Sequence, residues 1–141
     1  ILDLGLTLER LETHGVPVLG YRTSDFPAFY SSRSGHKVPF RCDSIEELVA
    51  MMKAQDTINN AGGELIVQPL SADDEIPFET IEPQIQEAIK TASARGIIGK
   101  DTTPFLLATL NEITAGKSQI ANRTLAIANA RLAGECRIVK P

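Results

Sequence analysis

The chain has 141 residues, 43% of them hydrophobic and 23% charged, and its 14 Lys and Arg against 18 Asp and Glu leave a net charge of -4. That length suits one domain with a real core. The lack of a basic surplus argues against a nucleic-acid partner, and no apolar run approaches the roughly 18 residues that would span a bilayer. Cys42 and Cys136 are too far apart in sequence to give a disulfide framework or a metal spacing, so reduced thiols in a cytoplasmic setting are expected.

The opening stretch, ILDLGLTLERLETHG, starts without Met, basic n-region or signal-type apolar core and is already patterned, so it is expected to be a piece of something longer. Leu4, Leu8 and Leu11 have helical spacing, His14 suits the last turn, and Gly15 is the stop. Val16 to Tyr21 reads as a strand, with Pro17 tolerated only near its start or on an edge. Thr23 to Lys37 has the Gly, Ser and Pro punctuation of a loop, yet it carries Phe26, Phe29 and Tyr30 and should therefore pack against something. A short strand is expected over Val38 to Arg41.

Ser44 followed by Glu47 forms a capping box, and Leu48, Met51, Met52 and Gln55 continue a helix toward a stop at Gly62 and Gly63. Glu64 to Pro69 reads as a second buried strand, so the helix between the strands makes a parallel crossover. The acidic run Asp73, Asp74, Glu75 reads as a solvated turn. Phe78, Ile81, Ile85, Ala88, Ile89 and Ala92 are amphipathic, with Pro83 leaving the first turn of that helix open. Thr103 is the expected N-cap of the next helix, Pro104 its first residue and Gly116 its end, and a last helix follows from about Ser118. This order predicts an α/β domain: a layered α/β/α sheet, here an incomplete portion with a helical carboxyl end. No internal repeat, low-complexity tract or linker interrupts residues 1–141.

GKDTT is not a phosphate-binding P-loop: Gly96 is only three residues before Gly99, and Asp101 rather than Ser or Thr follows Lys100. Backbone N–H groups near Thr103 to Phe105 could still hold an anion, although an ordinary cap explains the pattern. Arg33, His36, Lys37 and Arg41 form a basic cluster beside the aromatic loop that could meet a phosphate or an acidic neighbour, or simply be solvated. Asn122-Arg123-Thr124 fits the glycosylation pattern by accident, since it lies in a helix. His14 and His36 are too isolated for a metal site, and no nucleophile and base pair can be assembled. The last helix places Asn122, Leu125, Ala126, Asn129, Leu132 and Ala133 on one apolar face. Two amides in such a stripe need partners, either structural or from a substrate.

The strings ILDLGLTLERLETHGVPVLGY, FPAFYSSRSGHKVPFRCDS, GGELIVQP, GKDTTPFLLATLNEITAG and SQIANRTLAIANARLAGE together resemble the carboxyl half of the pseudouridine-5'-phosphate glycosidases, the family that includes the indigoidine synthase A proteins. The resemblance implies reversible cleavage of the C-C glycosidic bond of pseudouridine 5'-phosphate to uracil and ribose 5-phosphate. It further implies a divalent metal, typically manganese, a lysine imine as electron sink, and a homotrimer. In the family, the imine lysine lies just before the ILD string, and the metal ligand and acid/base carboxylates lie further upstream. The resemblance therefore puts all of these in a missing amino-terminal half, with no metal ligand in this chain. Lys37, Lys53, Lys90, Lys100, Lys117 and Lys140 do not match that lysine.

What carries over is Asn122, implied as the catalytic, substrate-binding asparagine of the last-helix motif. Asn129 matches a second asparagine, implied to be structural or to act on the substrate only through its neighbours. Arg123 stands where the family has an apolar residue. Two rivals to a glycosidase portion are a non-catalytic α/β interaction or regulatory module and another small-molecule lyase on the same scaffold.

Overall fold

A computed structural model describes residues 3–58 and 62–139 of the chain. Within them the order is α1 (Leu4–Thr13), β1 (Val18–Tyr21), β2 (Phe40–Cys42), α2 (Ile45–Thr57), β3 (Leu65–Val67), α3 (Phe78–Ala94), a 3-10 turn (Gly99–Asp101), α4 (Thr102–Ile113) and α5 (Lys117–Val139). The expected α/β architecture is present.

The described strands form one sheet in the order β2-β1-β3. Both pairings are parallel, with Leu19 opposite Phe40 and Ile66. α2 carries the chain from β2 to β3 on the other side of β1, the predicted crossover. β2 starts at Phe40, two residues later than expected, because Pro39 has no N–H to give to a ladder. The centre of β1 is closely approached. A Cβ on Gly20 would lie 2.7 Å from Val38 Cγ2 and against the Thr23 carbonyl, so no larger residue fits there unless these groups move.

Side chains alternate between two covered faces, as a strand dictates. Val18, Leu65 and Val67 pack with Phe26 and Val38 of the aromatic loop and with Leu4, Leu8 and Leu11 of α1. Leu19, Cys42 and Ile66 pack instead with Leu48 and Val49 of α2 and Leu132 and Cys136 of α5. This is the layered arrangement read from the element order. A third cluster joins Tyr30, Leu70 and Ile76 to Ile81 and Ile85 of α3, Leu110 of α4 and Ala121 of α5. β3 was expected to be buried, but Leu65, Ile66 and Val67 are all half-buried, because β3 has a strand neighbour only in β1 among the described residues.

The helix ends have identifiable chemistry. Asp3 caps α1, its side chain accepting from the Leu6 N–H at 3.0 Å. Gly15 takes a positive φ of 64, which lets the Val16 N–H reach back to the Leu11 carbonyl at 2.9 Å and closes the helix before β1. Ser44 accepts from the Glu47 N–H as the capping box requires, but the Glu47 carboxylate returns to the Asp43 N–H, one residue before the expected donor. α2 ends at Thr57, short of the expected glycines. The Thr57 hydroxyl turns back onto the Lys53 carbonyl and Ile58 leaves helical geometry. The rest of that predicted run, residues 59–61, lies outside the described residues.

Two helix starts differ from expectation. Pro83 sits well inside α3, whose first residue is Phe78. It is tolerated on the exposed side, where the carbonyl that loses its donor can meet water. α4 begins at Thr102 rather than after a Thr103 cap, because the 3-10 turn over Gly99–Asp101 runs directly into it. Thr103 and Pro104 are therefore helical residues. Pro104 still falls in the first turn, where a missing N–H costs nothing.

Candidate functional site

A cavity of about 740 Å³ opens beside β3. Its floor is Leu65, Ile66, Val67 and the following Gln68; one wall is α3, through Phe78, Ile81, Glu82, Ile85, Gln86 and Ile89. Leu107 of α4 and Leu125 and Asn129 of α5 close a second side, and Phe29, Ser34 and His36 of the aromatic loop face the start of α1. An apolar enclosure with a few polar groups is the usual form of a small-molecule site. In open α/β sheets such sites lie outside the carboxyl ends of the strands, the position of Gln68.

The polar lining is ordered by specific bonds. Gln68 Nε2 donates to Asn129 Oδ1 at 2.9 Å, joining the end of β3 to the middle of α5. Gln86 Nε2 donates to Glu82 Oε1 at 2.8 Å, one turn apart on α3. The Ser34 hydroxyl donates to the Phe26 carbonyl and accepts from the His36 N–H, so the loop holds its own shape. His36 lies against Gly5 of α1, its Cε1 at 3.4 Å from where a Cβ would be.

Phe29 shares an unusual backbone with Arg22 and Ala115, the other non-glycine residues with a positive φ among the described residues. Its φ of 61 is left-handed, a conformation rare for a bulky residue. The residue is 41% exposed and lines the cavity, and its ring meets Tyr30 edge-on, with centroids 4.7 Å apart and planes at 80°. Tyr30 is 1% exposed, and burial raises its phenol pKa while a bond to Ser118 partly offsets this.

The residues singled out in the sequence are distributed unevenly around this cavity. The buried line of α5 is Ser118, Ala121, Leu132 and Cys136, with Leu125 half-buried between them, so the expected stripe is rotated. Ala126, Asn129 and Ala133 are exposed, because the long helix turns its contact face from α4 toward α2 along its length. Asn122 is half-buried at the border of that face and is not among the described residues that line the cavity. No described residue hydrogen-bonds its amide. Asn129 lines the cavity and is tied to Gln68.

The basic cluster does not converge. Lys37 pairs with Asp25 and Arg41 with Asp43, each at 2.7 Å, and His36 alone of the four lines the cavity. Thr103, at the start of α4, reaches the lining, whereas Phe105 carries the Arg95 guanidinium 5.6 Å above its ring. Glu75 is not a solvated bystander: it accepts the Ser32 N–H at 2.7 Å. Among the described residues no three His, Cys, Asp or Glu side chains are grouped to hold a metal ion. None of the described helices is long and apolar enough to cross a membrane. Gln68 and Phe29 went unassigned in the sequence. The only advance signals were a polar residue ending an apolar strand and an aromatic loop with nothing yet to pack on.

A parallel sheet covered by helices on both faces, with a cavity at the carboxyl end of β3, defines a layered α/β/α domain. The family model described as indigoidine synthase A like protein matches residues 1–138, and the chain belongs to that family, as the sequence strings implied. It is 51% identical over 132 residues to a pseudouridine-5'-phosphate glycosidase of a Nocardioides species, covering 94% of this chain and 43% of the relative. It is 45% identical over 138 residues to the enzyme of that name from Alkaliphilus metalliredigens, covering 98% and 45%. The chain thus spans less than half the length of these curated relatives. Among solved structures, an indigoidine synthase A-like protein of Thermotoga maritima superposes with a TM-score of 0.85 at 35% identity, over 96% of this chain and 44% of that one. A prealnumycin C-glycosynthase in complex with ribulose 5-phosphate gives 0.86 at 34%, over 96% and 45%.

Proposed function

We propose that residues 1–141 are the carboxyl-terminal portion of a single pseudouridine-5'-phosphate glycosidase domain. In this reading the whole domain cleaves the C-C glycosidic bond to give uracil and ribose 5-phosphate. The observation that carries it is the 51% identity to a glycosidase of that name over nearly the whole chain. The likeness to a C-glycosynthase that holds ribulose 5-phosphate supports a sugar-phosphate substrate class.

The chain contributes one wall of the substrate pocket, and the amino-terminal portion contributes the imine-forming lysine. An imine provides the electron sink that breaking a carbon-carbon bond requires. Manganese would supply Lewis-acid charge stabilisation, with its ligands in the amino-terminal portion. Asn122 hydrogen-bonds the substrate; its amide is half-buried and has no described partner, which leaves both its donor and its acceptor available. Assembly as a homotrimer and a cytoplasmic location belong to the same reading.

The test is uracil release from pseudouridine 5'-phosphate in the presence of manganese, measured for this chain alone and for the longer protein that contains it. The longer protein is expected to release uracil and the chain alone to be inactive. Release by the chain alone would remove the claim that the reactive lysine lies elsewhere. An inactive longer protein would favour an interaction module.

A further inference from the structure

We infer that the open edge of β3 is the docking site of a further strand, parallel to β3 and formed by the segment that leads into Ile1 in the longer protein. This inference rests on the reading of residues 1–141 as a carboxyl-terminal portion, and adds where the preceding chain sits. β3 is the outer described strand on its side of the sheet, next to β1. The Leu65 N–H donates to the Pro17 carbonyl at 2.9 Å, so Leu65 turns its backbone toward β1, and by the alternation of a parallel strand Val67 does the same. The N–H and C=O of half-buried Ile66 therefore face outward, where no described strand takes them. Backbone groups withdrawn from water need partners. Solvent-facing edges are usually blunted by a charge, a proline or a bulge. β3 is Leu, Ile and Val throughout, the composition of a strand inside a parallel sheet, and it floors an apolar cavity.

Crossover handedness says which segment fills that edge. Connections between parallel strands are right-handed in about 98% of cases. α2 lies on the face of Leu19, Cys42 and Ile66 and carries the chain from β2 to β3, stepping over β1. α1 lies on the opposite face, against Val18, Leu65 and Val67, and leads into β1. On that face a right-handed connection runs the other way across the sheet, so a strand feeding α1 belongs on the β3 side of β1. β3 fills the first place there, which leaves the place beyond it. Each crossover then steps over one strand. The start of α1 is where this order requires it: Asp3 and Leu4 line the same cavity as Ile66, Val67 and Gln68. A parallel neighbour of β3 ends on that side of the sheet, ready to turn into α1. The curated relatives, of which this chain covers less than half, have the residues to supply it.

The experiment uses the longer protein and two readings. Amide hydrogen exchange resolved to single residues needs no variant, and the Ile66 N–H should exchange about a hundredfold or more slowly than an unprotected amide. Thiol cross-linking then identifies the neighbour. In a version without other cysteines, Cys42→Ala and Cys136→Ala included, Leu65→Cys is combined in turn with a cysteine at each of about eight positions before Ile1, the span of a strand and its ends. A short bifunctional thiol reagent should join the pairs in alternation along that segment, since every second side chain shares the face of Leu65. Rapid exchange at Ile66, cross-linking of Leu65→Cys to a second copy, or a helical recurrence of the cross-links would each overturn the strand. Where the cysteine variants fail to fold, the exchange of Ile66 decides. Alternating cross-links in a longer protein that releases no uracil would keep the strand and remove the glycosidase reading. Uracil release by a longer protein whose preceding segment never joins β3 would do the reverse.

Discussion

Glu75 and Ser32 are joined by a 2.7 Å hydrogen bond, from the Ser32 backbone N–H to Glu75 Oε2, across 43 residues. The bond ties the acidic turn before α3 to the loop that carries Phe29 and Tyr30. Glu75→Ala should lower unfolding stability by about 1 kcal/mol, the usual net worth of such a bond. Asp73→Ala, at an exposed position of the same run, should stay within about 0.5 kcal/mol of the parent. Urea titrations of the two variants make the comparison; equal effects would return Glu75 to the solvated turn.

The cap of α2 offers a second test. Ser44→Ala removes the hydroxyl that accepts the Glu47 N–H at 3.2 Å, and should cost about 1 kcal/mol by chemical denaturation. Ser44→Asp retains an acceptor and should recover most of the loss.

Leu110 is 0% exposed in the cluster shared by α3, α4, α5 and Tyr30. Leu110→Ala should cost about 3 kcal/mol or more, because those surroundings cannot all collapse onto the void. The fall in denaturation midpoint measures it, and a loss below about 1 kcal/mol would mean that the helical layer is loosely packed.

The buried thiols give the chain a pH dependence. Burial raises the pKa of Cys42, assisted by Glu47 and Asp43, and burial likewise raises that of Cys136, assisted by Glu135. A raised folded-state pKa means that the folded chain holds its proton more tightly than the unfolded one. The stabilisation is complete below the unfolded thiol value and is lost as pH rises from roughly 8.5 through the higher folded value. Urea midpoints taken at rising alkaline pH should fall for the parent and fall less steeply for Cys42→Ala measured against its own neutral-pH value.

Asn122→Ala, made in the longer protein, should lower turnover or substrate binding by about tenfold or more with little loss of folding. Uracil release read beside a melting curve separates the two effects. A variant that unfolds while its folded fraction keeps full activity would make the amide structural.

Local chemistry was legible at many points along the chain. Leu4, Leu8 and Leu11 announced α1, Ser44 and Glu47 announced the start of α2, and the apolar run Leu65 to Val67 announced β3. Each depends on neighbours a few residues away, and a one-dimensional pattern records such neighbours directly. The strings shared with the family carried more than periodicity could, and they placed the chain among the indigoidine synthase A-like proteins before any contact was known.

The face that α5 presents could not be read this way. Its apolar pattern allowed Asn122 and Asn129 to share one stripe, but a helix of 23 residues that packs first on α4 and then on α2 follows two partners, and its buried line bends between them. The same holds for Gln68, which meets Asn129 across 61 residues of chain, and for Phe29, whose left-handed backbone is imposed by contacts from residues 75 and 76. The amino-acid sequence alone determined the main elements, their order, the family, and the capping pair and asparagines singled out along it. The tertiary structure decided which of those residues line the cavity, because lining is set by contacts between segments that no local spacing encodes.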